Sequence, residues 1–154
     1  MVARSLCCLS LLIASNAAGQ LLTVDATDRF AWTESAGYLN LAPAVDEAWL
    51  VICDTYVFGY TWSESLGWVS FGQVPENGAA YTNEIGSDSG VNVDPAGRLI
   101  GFAWSEGGGW INFDTTSNED VPDARIDFDG LRLRGWAWGE SIGWVNFDDD
   151  ETFV

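Results

Sequence analysis

A phrase of twelve residues recurs along the chain and constrains its fold more than any other feature. In its clearest copy, residues 102–113, it reads F-A-W-S-E-G-G-G-W-I-N-F, and it returns at 136–147, at 60–71 and, in a degenerate form, at 30–41. Four copies of one pattern in a chain of 154 residues indicate a repeat architecture, in which each repeat is one structural unit.

Each copy has the pattern of a β-hairpin. Two short runs of aromatic and β-branched residues flank a five-residue loop that ends in glycine. The end of such a loop needs a positive φ, which glycine adopts at the lowest cost. The glycines at this position are Gly37, Gly67, Gly109 and Gly143.

The loop length predicts the register of each hairpin. Trp104 should lie opposite Trp110, and Ala103 opposite Ile111. The equivalent aromatic pairs are Trp32 with Tyr38, Trp62 with Trp68, and Trp138 with Trp144. Directly opposed side chains stabilise a strand pair by about 0.2–1 kcal/mol. On the other face, the pattern predicts that Phe113 covers Gly101 and that Phe147 covers Gly135, as a large ring can cover a strand glycine.

A segment of the form apolar-x-apolar-Asp precedes each hairpin and predicts a further strand. The expected fold is therefore all-β, with four β-meander repeats of about three short strands each. They are packed as a sandwich, a barrel-like ring or a stacked array. The repeats span about 21–41, 49–71, 91–114 and 125–148. The first copy departs from the pattern at Tyr38 and Leu41, which is typical of a terminal capping repeat.

The first nineteen residues have the features of a secretory signal peptide. Arg4 precedes an apolar run over 6–14, and small residues follow up to Gly19. The expected mature chain is a single extracellular domain, residues 20–154, and the alternative is that the segment stays as a structural helix. The mature chain keeps only Cys53, for which burial in its apolar strand is expected over the alternative of pairing between molecules.

Composition excludes several functions. A net charge of −17 argues against nucleic acid or an anionic membrane as a partner, and the apolar run is too short to span a bilayer. The chain has no histidine, which removes Ser–His and Cys–His dyads and histidine metal sites.

A glutamate also recurs in every hairpin loop. Of these residues, Glu64, Glu106 and Glu140 could in principle supply the carboxylate pair of a glycosidase. A residue present in every repeat is normally structural, however. The expected role of the recurring glutamates is hydrogen bonding within the loop, and no catalytic residue or enzymatic activity is predicted. The residues concerned are Glu34, Glu64, Glu106 and Glu140.

Four aspartates near the end of the chain are weak candidates for Ca²⁺. They are Asp127, Asp129, Asp148 and Asp150, and neither segment supplies the six or more placed oxygens of a complete calcium loop. No cofactor is therefore expected, beyond weak calcium binding as an open alternative.

The pattern G-[FYW]-x-W-[SG]-E-x-x-G-W-[IV]-x-F, carried by residues 59–71, 101–113 and 135–147, resembles a repeat found in uncharacterised secreted and surface proteins of bacteria. The resemblance covers most of the expected mature chain. It implies secretion and repetition, and it implies no particular activity.

The tryptophan array allows three interpretations: core packing, platforms for stacking sugars, or a contact face between subunits. The sequence favours a non-catalytic secreted structural protein, a self-associating subunit of an extracellular fibre or surface layer. The alternative is a carbohydrate-binding module, and a β-propeller-like peptide binder ranks third. The expected partners are therefore further copies of the chain or a polysaccharide. The residues concerned are Trp32, Tyr38, Trp62, Trp68, Trp104, Trp110, Trp138 and Trp144.

Overall fold

The computed structural model of the protein describes residues 22–24, 29–43, 50–118, 120–130 and 132–148. The predicted signal peptide, residues 1–19, and the candidate calcium ligand Asp150 lie outside these ranges. Within them, no helix is long and apolar enough to cross a membrane.

The described residues form short β-strands and a single 3₁₀ turn at Gly86–Asp88. The strands are β1 (Leu22–Thr23), β2 (Phe30–Thr33), β3 (Gly37–Asn40), β4 (Val51–Ile52), β5 (Tyr56–Phe58), β6 (Tyr60–Ser63), β7 (Gly67–Ser70), β8 (Val91–Val93), β9 (Leu99–Ser105), β10 (Gly109–Asn112), β11 (Arg125–Asp127), β12 (Arg132–Arg134), β13 (Trp136–Gly139) and β14 (Gly143–Asn146).

Four hairpins close into an eight-stranded antiparallel barrel. Hairpins 1 to 4 are β2–β3, β6–β7, β9–β10 and β13–β14. The second strand of each hairpin pairs with the first strand of the next, and β14 pairs with β2 to close the ring. Of the three predicted packings, the barrel-like ring is confirmed. The capping interpretation of the first copy is wrong, because a closed ring has no terminal hairpin.

The predicted register is confirmed in every hairpin. Trp104 lies opposite Trp110, and the other three aromatic pairs are equivalent. The loop is shorter than expected, because Ser105 pairs with Gly109 and the turn between them has only the residues 106–108. The four loop glycines have φ between +71° and +75°. Each hairpin therefore has a three-residue turn followed by a left-handed glycine, one of the common hairpin connections.

Polar residues of the repeat complete these turns with local hydrogen bonds. Thr33 Oγ1 accepts the backbone N–H of Ala36 at 3.0 Å, and Ser105 Oγ accepts that of Gly108 at 2.8 Å. At the other end of the hairpin, Asn112 Oδ1 accepts the N–H of Asp114 at 2.9 Å. The Ser/Thr and Asn positions of the pattern therefore mark where the strands end.

The interior of the barrel combines small and large side chains. In hairpins 1, 3 and 4 an alanine lies opposite a branched aliphatic residue, as Ala103 lies opposite Ile111. At the turn end, Leu66 and Ile142 meet over Gly108, where a Cβ would overlap both. Such alternation fills the narrow interior of a small barrel. The buried residues of the four hairpins include Ala31, Leu39, Leu41, Leu66, Val69, Phe71, Ala103, Ile111, Phe113, Ala137, Ile142, Val145 and Phe147.

Four of the remaining strands extend the barrel at the end opposite the turns, whereas β11 and β12 pair with each other as a separate two-stranded sheet. Strands β1, β4, β5 and β8 pair in that order and join the first half of β9. Strand β9 belongs to both sheets and has its positive φ, +110°, at Gly101. The predicted meander is confirmed for repeats 2 to 4, whereas β1 pairs with β4 of the second repeat instead of with β2. Cys53, at the end of β4, is buried as predicted.

The strand glycines lie opposite the phenylalanines as predicted, since the Phe113 and Phe147 N–H groups donate to the Gly101 and Gly135 carbonyls, whereas covering by the rings stays a prediction. The nearest neighbours of a Cβ built on Gly101 would be the Gly90 carbonyl oxygen and the Asn83 side chain, and on Gly135 they would be backbone atoms of Asp123 and Pro122. These positions need glycine because another backbone segment passes close by and because φ is positive.

We predict that Gly109→Ala lowers the free energy of unfolding by about 1–2 kcal/mol, because a non-glycine residue is strained at this φ. Steric overlap does not cause this destabilisation, since a Cβ at Gly109 would contact only Trp104, at 4.0 Å. Gly109→Asn is the control and should cost less, because asparagine tolerates the left-handed region. Urea unfolding measures both. Equal stability of all three proteins would contradict the assigned turn.

Candidate functional site: the aromatic belt and its cleft

The outer surface of the barrel carries an aromatic belt. We use this name for Phe30, Trp32, Tyr38, Tyr60, Trp62, Trp68, Phe102, Trp104, Trp110, Trp136, Trp138 and Trp144. Seven of the eight predicted site aromatics are 37–49% exposed, and Trp144 is half-buried. Core packing is therefore the wrong interpretation of these side chains, and the platform and subunit-contact interpretations remain open.

Within each hairpin the belt residues form a packed triad. The centroids of Trp104 and Trp110 are 4.8 Å apart, and Phe102 lies 5.9 Å from Trp110. The other cross-strand pairs are separated by 4.9–5.0 Å, with ring planes at 66–72°. Edge-to-face contacts of this kind add about 0.5–1.5 kcal/mol beyond area burial. Each triad is therefore held in place before any ligand arrives, which lowers the entropic cost of binding.

A polar side chain separates each triad from the next. Asn112 of hairpin 3 pairs with Trp138 of hairpin 4, and Ser70 of hairpin 2 pairs with Trp104 of hairpin 3. Asn40 and Asn146 hold the same position before Trp62 and Trp32. Around the barrel, aromatic rings thus alternate with amide and hydroxyl groups.

A cleft of about 690 Å³ lies over hairpin 3 and reaches hairpin 4. We call it the main cleft. It combines aromatic rings with amide, hydroxyl and carboxylate groups, which is the composition of a site for a ligand with both apolar and polar faces. The lining residues are Asn83, Glu84, Ile85, Gly86, Ser89, Phe102, Trp104, Gly108, Gly109, Trp110, Asn112, Trp138, Glu140 and Ser141.

Loop 82–90 forms one wall of the main cleft, and the buried residue Tyr81 anchors it. The Tyr81 hydroxyl donates to the Val57 carbonyl at 3.0 Å. The Tyr81 backbone N–H and carbonyl both bond the side chain of Asn92, at 2.8 and 2.9 Å. Its ring occupies the space that a side chain at Gly72 or Gly90 would need. The wall is therefore fixed to β5 and β8 beneath it.

Further hydrogen bonds hold the shape of this loop. Asn83 adopts a positive φ of +57°, and its Oδ1 accepts the N–H of Gly90 at 2.9 Å. Asp88 accepts the N–H of Thr82 at 3.1 Å, and its own N–H donates to the Ile85 carbonyl. Ile85 lies at the tip and is 60% exposed, which places an apolar side chain at the entrance of the cleft.

The recurring glutamates are not equivalent, and Glu34 does not have the predicted role within its own loop. The Ser/Thr residue before each glutamate makes the loop hydrogen bonds in hairpins 1 to 3. Glu34 instead reaches hairpin 4, where Oε2 accepts the N–H of Trp144 at 3.2 Å and the side chain lies over Gly143. Glu140 lines the main cleft, whereas Glu64 and Glu106 are exposed in their turns.

Two of the candidate calcium ligands bind an arginine. Arg134 Nε lies 2.9 Å from Asp127 Oδ2, and its Nη1 lies 3.3 Å from Asp148 Oδ1. Hydrogen bonds from the Gly130 N–H and then from Arg134 hold the pKa of Asp127 below its ordinary value. Asp129 is exposed. Across the part of the chain that the structure describes, no three acidic or cysteine side chains form a group that could hold a metal ion.

The loop residues that wall the main cleft were not predicted from the sequence. Asn83, Glu84, Ile85 and Ser89 lie in the longest connector, whose composition is that of a solvated loop. One signal was present: Tyr81 and Ile85 are large apolar residues in an otherwise polar segment. Such residues indicate that a connector packs onto the domain.

We found no significant match when we compared the chain with models of protein families, with curated proteins and with solved structures. The function is therefore argued from the geometry of the site.

We predict that Tyr81→Phe lowers the free energy of unfolding by about 1–2 kcal/mol, because the buried Val57 carbonyl loses a donor. The matched control is Tyr38→Phe, since Tyr38 is 49% exposed and should change stability by less than about 0.5 kcal/mol. Chemical denaturation measures both variants. A Tyr81→Phe protein as stable as the control would show that the hydroxyl does not anchor the loop.

Proposed function

We propose that the protein is a non-catalytic carbohydrate-binding module that acts outside the cell and binds neutral polysaccharide through the aromatic belt. The observation that carries the proposal is the main cleft. There, exposed Trp104, Trp110 and Trp138 lie beside amide, hydroxyl and carboxylate groups.

The chemistry of a sugar ring suits such a surface. A pyranose has a face of C–H groups, which packs on an aromatic ring, and a rim of hydroxyls, which needs donors and acceptors. Asn112 Oδ1 accepts the N–H of Asp114, which orients the amide, and the NH₂ group and the second lone pair of the oxygen can serve a ligand. Glu84 and Glu140 offer carboxylate acceptors. A contiguous exposed aromatic surface on a soluble domain is also typical of an interaction site.

Charge favours a neutral ligand. The chain carries 23 acidic residues and a net charge of −17, and two carboxylates line the cleft. A polyanionic polysaccharide would be repelled at long range and would meet carboxylates at short range. Neutral polymers avoid both costs.

The extracellular and non-catalytic parts of the proposal rest on sequence. The signal-like segment 1–19 and the resemblance to bacterial secreted repeats support export. A glutamate recurs in every hairpin, which supports a structural role for these carboxylates. A catalytic pair would instead consist of two particular residues.

Self-association is the second candidate, and the exposed belt favours it because aromatic residues dominate subunit contacts. The closed barrel weakens the route by which a filament would form, since its eight strands leave no edge for another copy to pair with. Contacts between copies would have to use side chains or the edges outside the barrel, at β1 and at the β11–β12 pair. Sedimentation velocity over a salt series decides: salt-dependent polymers support this candidate, and a monomer at all concentrations contradicts it.

Affinity pull-down tests the carbohydrate proposal. The protein is mixed with insoluble cellulose, chitin, xylan and β-1,3-glucan, and with cross-linked alginate as the polyanionic control. We expect retention on at least one neutral polymer and none on alginate, with no release of reducing ends. Absence of retention on every neutral polymer would contradict the proposal, and release of reducing ends would contradict its non-catalytic part.

A further inference from the structure

The four hairpins share the aromatic platform but not the wall beside it. Each carries a triad of similar geometry, as the 4.8 Å and 5.0 Å centroid separations of Trp104–Trp110 and Trp62–Trp68 indicate. Loop 82–90 occurs once in the chain and stands beside hairpin 3. The belt is therefore nearly symmetric, whereas the clefts on it are not.

The main cleft continues into two further clefts. One of about 240 Å³ lies on the hairpin 2 side of the same triad, and one of about 660 Å³ runs beneath the connector 73–77. Gly86 and Ser89 line all three clefts, so the three adjoin around the tip of loop 82–90. Together they form a groove over hairpin 3 that is open to solvent instead of an enclosed cavity.

This groove crosses the strands of the barrel. It reaches from Ser70 on β7, over β9 and β10, to Trp138 on β13. Neighbouring strands are about 4.8 Å apart, so three such spacings give roughly 14 Å. A single sugar ring fills only a part of that length, and a groove that is open to solvent along its length does not require a chain end.

We infer, on the basis of the proposed function, that the groove over hairpin 3 is the principal binding site and takes an internal segment of a linear neutral polysaccharide. The chain lies across β7, β9, β10 and β13. The rings of Trp104 and Trp110 form its floor, Trp138 lies at one end, and loop 82–90 is the wall that distinguishes this hairpin from the other three.

The charge and polarity of the groove select this occupant over a polyanion. Its polar groups, among them Asn112 and Glu140, are suited to hydroxyl groups. A basic peptide would also meet aromatic rings and carboxylates, and that occupant is an outcome of the test below.

Calorimetric titration with soluble oligosaccharides of one to six units, cut from the polymer that retains the wild-type protein, tests the inference. The two matched variants are Trp104→Ala and Trp62→Ala, because both remove the first-strand indole of a Trp–Trp pair and the two side chains are 43% and 37% exposed. We expect about tenfold weaker binding in Trp104→Ala and a change of less than about twofold in Trp62→Ala.

A second pair of variants distinguishes a loss of binding from a loss of folding. Ile85→Arg places a large charged side chain at the exposed tip of the wall and should weaken binding by about tenfold without changing the unfolding midpoint. Phe128→Arg, at a 53% exposed position near the β11–β12 turn, is the control and should bind as the wild type does. Affinity should also rise with oligosaccharide length until the groove is filled, and reduction of the terminal sugar should not matter.

Each contrary outcome has a distinct meaning. Equal losses in Trp104→Ala and Trp62→Ala would overturn the inference and leave the proposed function standing, with binding spread around the belt. Full affinity for a monosaccharide, or loss of affinity on reduction of the chain end, would overturn the internal-segment assignment. Displacement of the sugar by an arginine-rich peptide of higher affinity would assign the groove to a cationic partner. Failure of the wild type to bind any neutral polymer would remove both proposals.

Discussion

The cross-strand register within each hairpin determines which side chains fill the barrel and which form its outer surface. The side chains of a strand alternate between two faces, so a slip of one residue would exchange the inside and the outside of the barrel. The left-handed glycine after a three-residue turn, as at Gly109, sets this register. It places Ala103 and Ile111 inside and Trp104 and Trp110 outside. An exchange would force indole rings into an interior that is already filled by alanine, valine, leucine, isoleucine and phenylalanine side chains.

Closure of the ring then explains how a surface so rich in tryptophan coexists with a complete core. The interior is filled by side chains of complementary size, and Leu66 and Ile142 meet over Gly108 at the turn end. Hairpin 4 is joined to hairpin 1 by the β14–β2 pairing and by hydrogen bonds from the Glu34 and Ser35 N–H groups to the Trp144 and Ile142 carbonyls. The aromatic triads therefore contribute pairwise contacts on the surface, and they remain free to contact a ligand.

The hairpins could be predicted from the sequence because their information is local. The opposition of Trp104 and Trp110 follows from six residues of spacing and one glycine. Which face of each hairpin points into the barrel could not be predicted, since both faces are apolar. Only the side-chain volume that fits inside the closed ring decides between them. Closure itself joins Val145 to Thr33, more than a hundred residues apart, and leaves no local pattern. The wall of the cleft depends on Tyr81 filling the space over Gly72 and Gly90, which is a tertiary contact of a segment with a loop-like composition.

Closure of the ring determines which aromatic residues face a ligand and leaves the eight barrel strands without a free edge. Nuclear magnetic resonance tests it directly through contacts between β14 and β2. A closed ring predicts cross-strand nuclear Overhauser effects between Val145 and Thr33 and between Asn146 and Trp32. It also predicts slow hydrogen exchange of the Glu34 amide, which donates to the Trp144 carbonyl. Cross-strand effects within each hairpin, but none between β14 and β2 and a freely exchanging Glu34 amide, would contradict it.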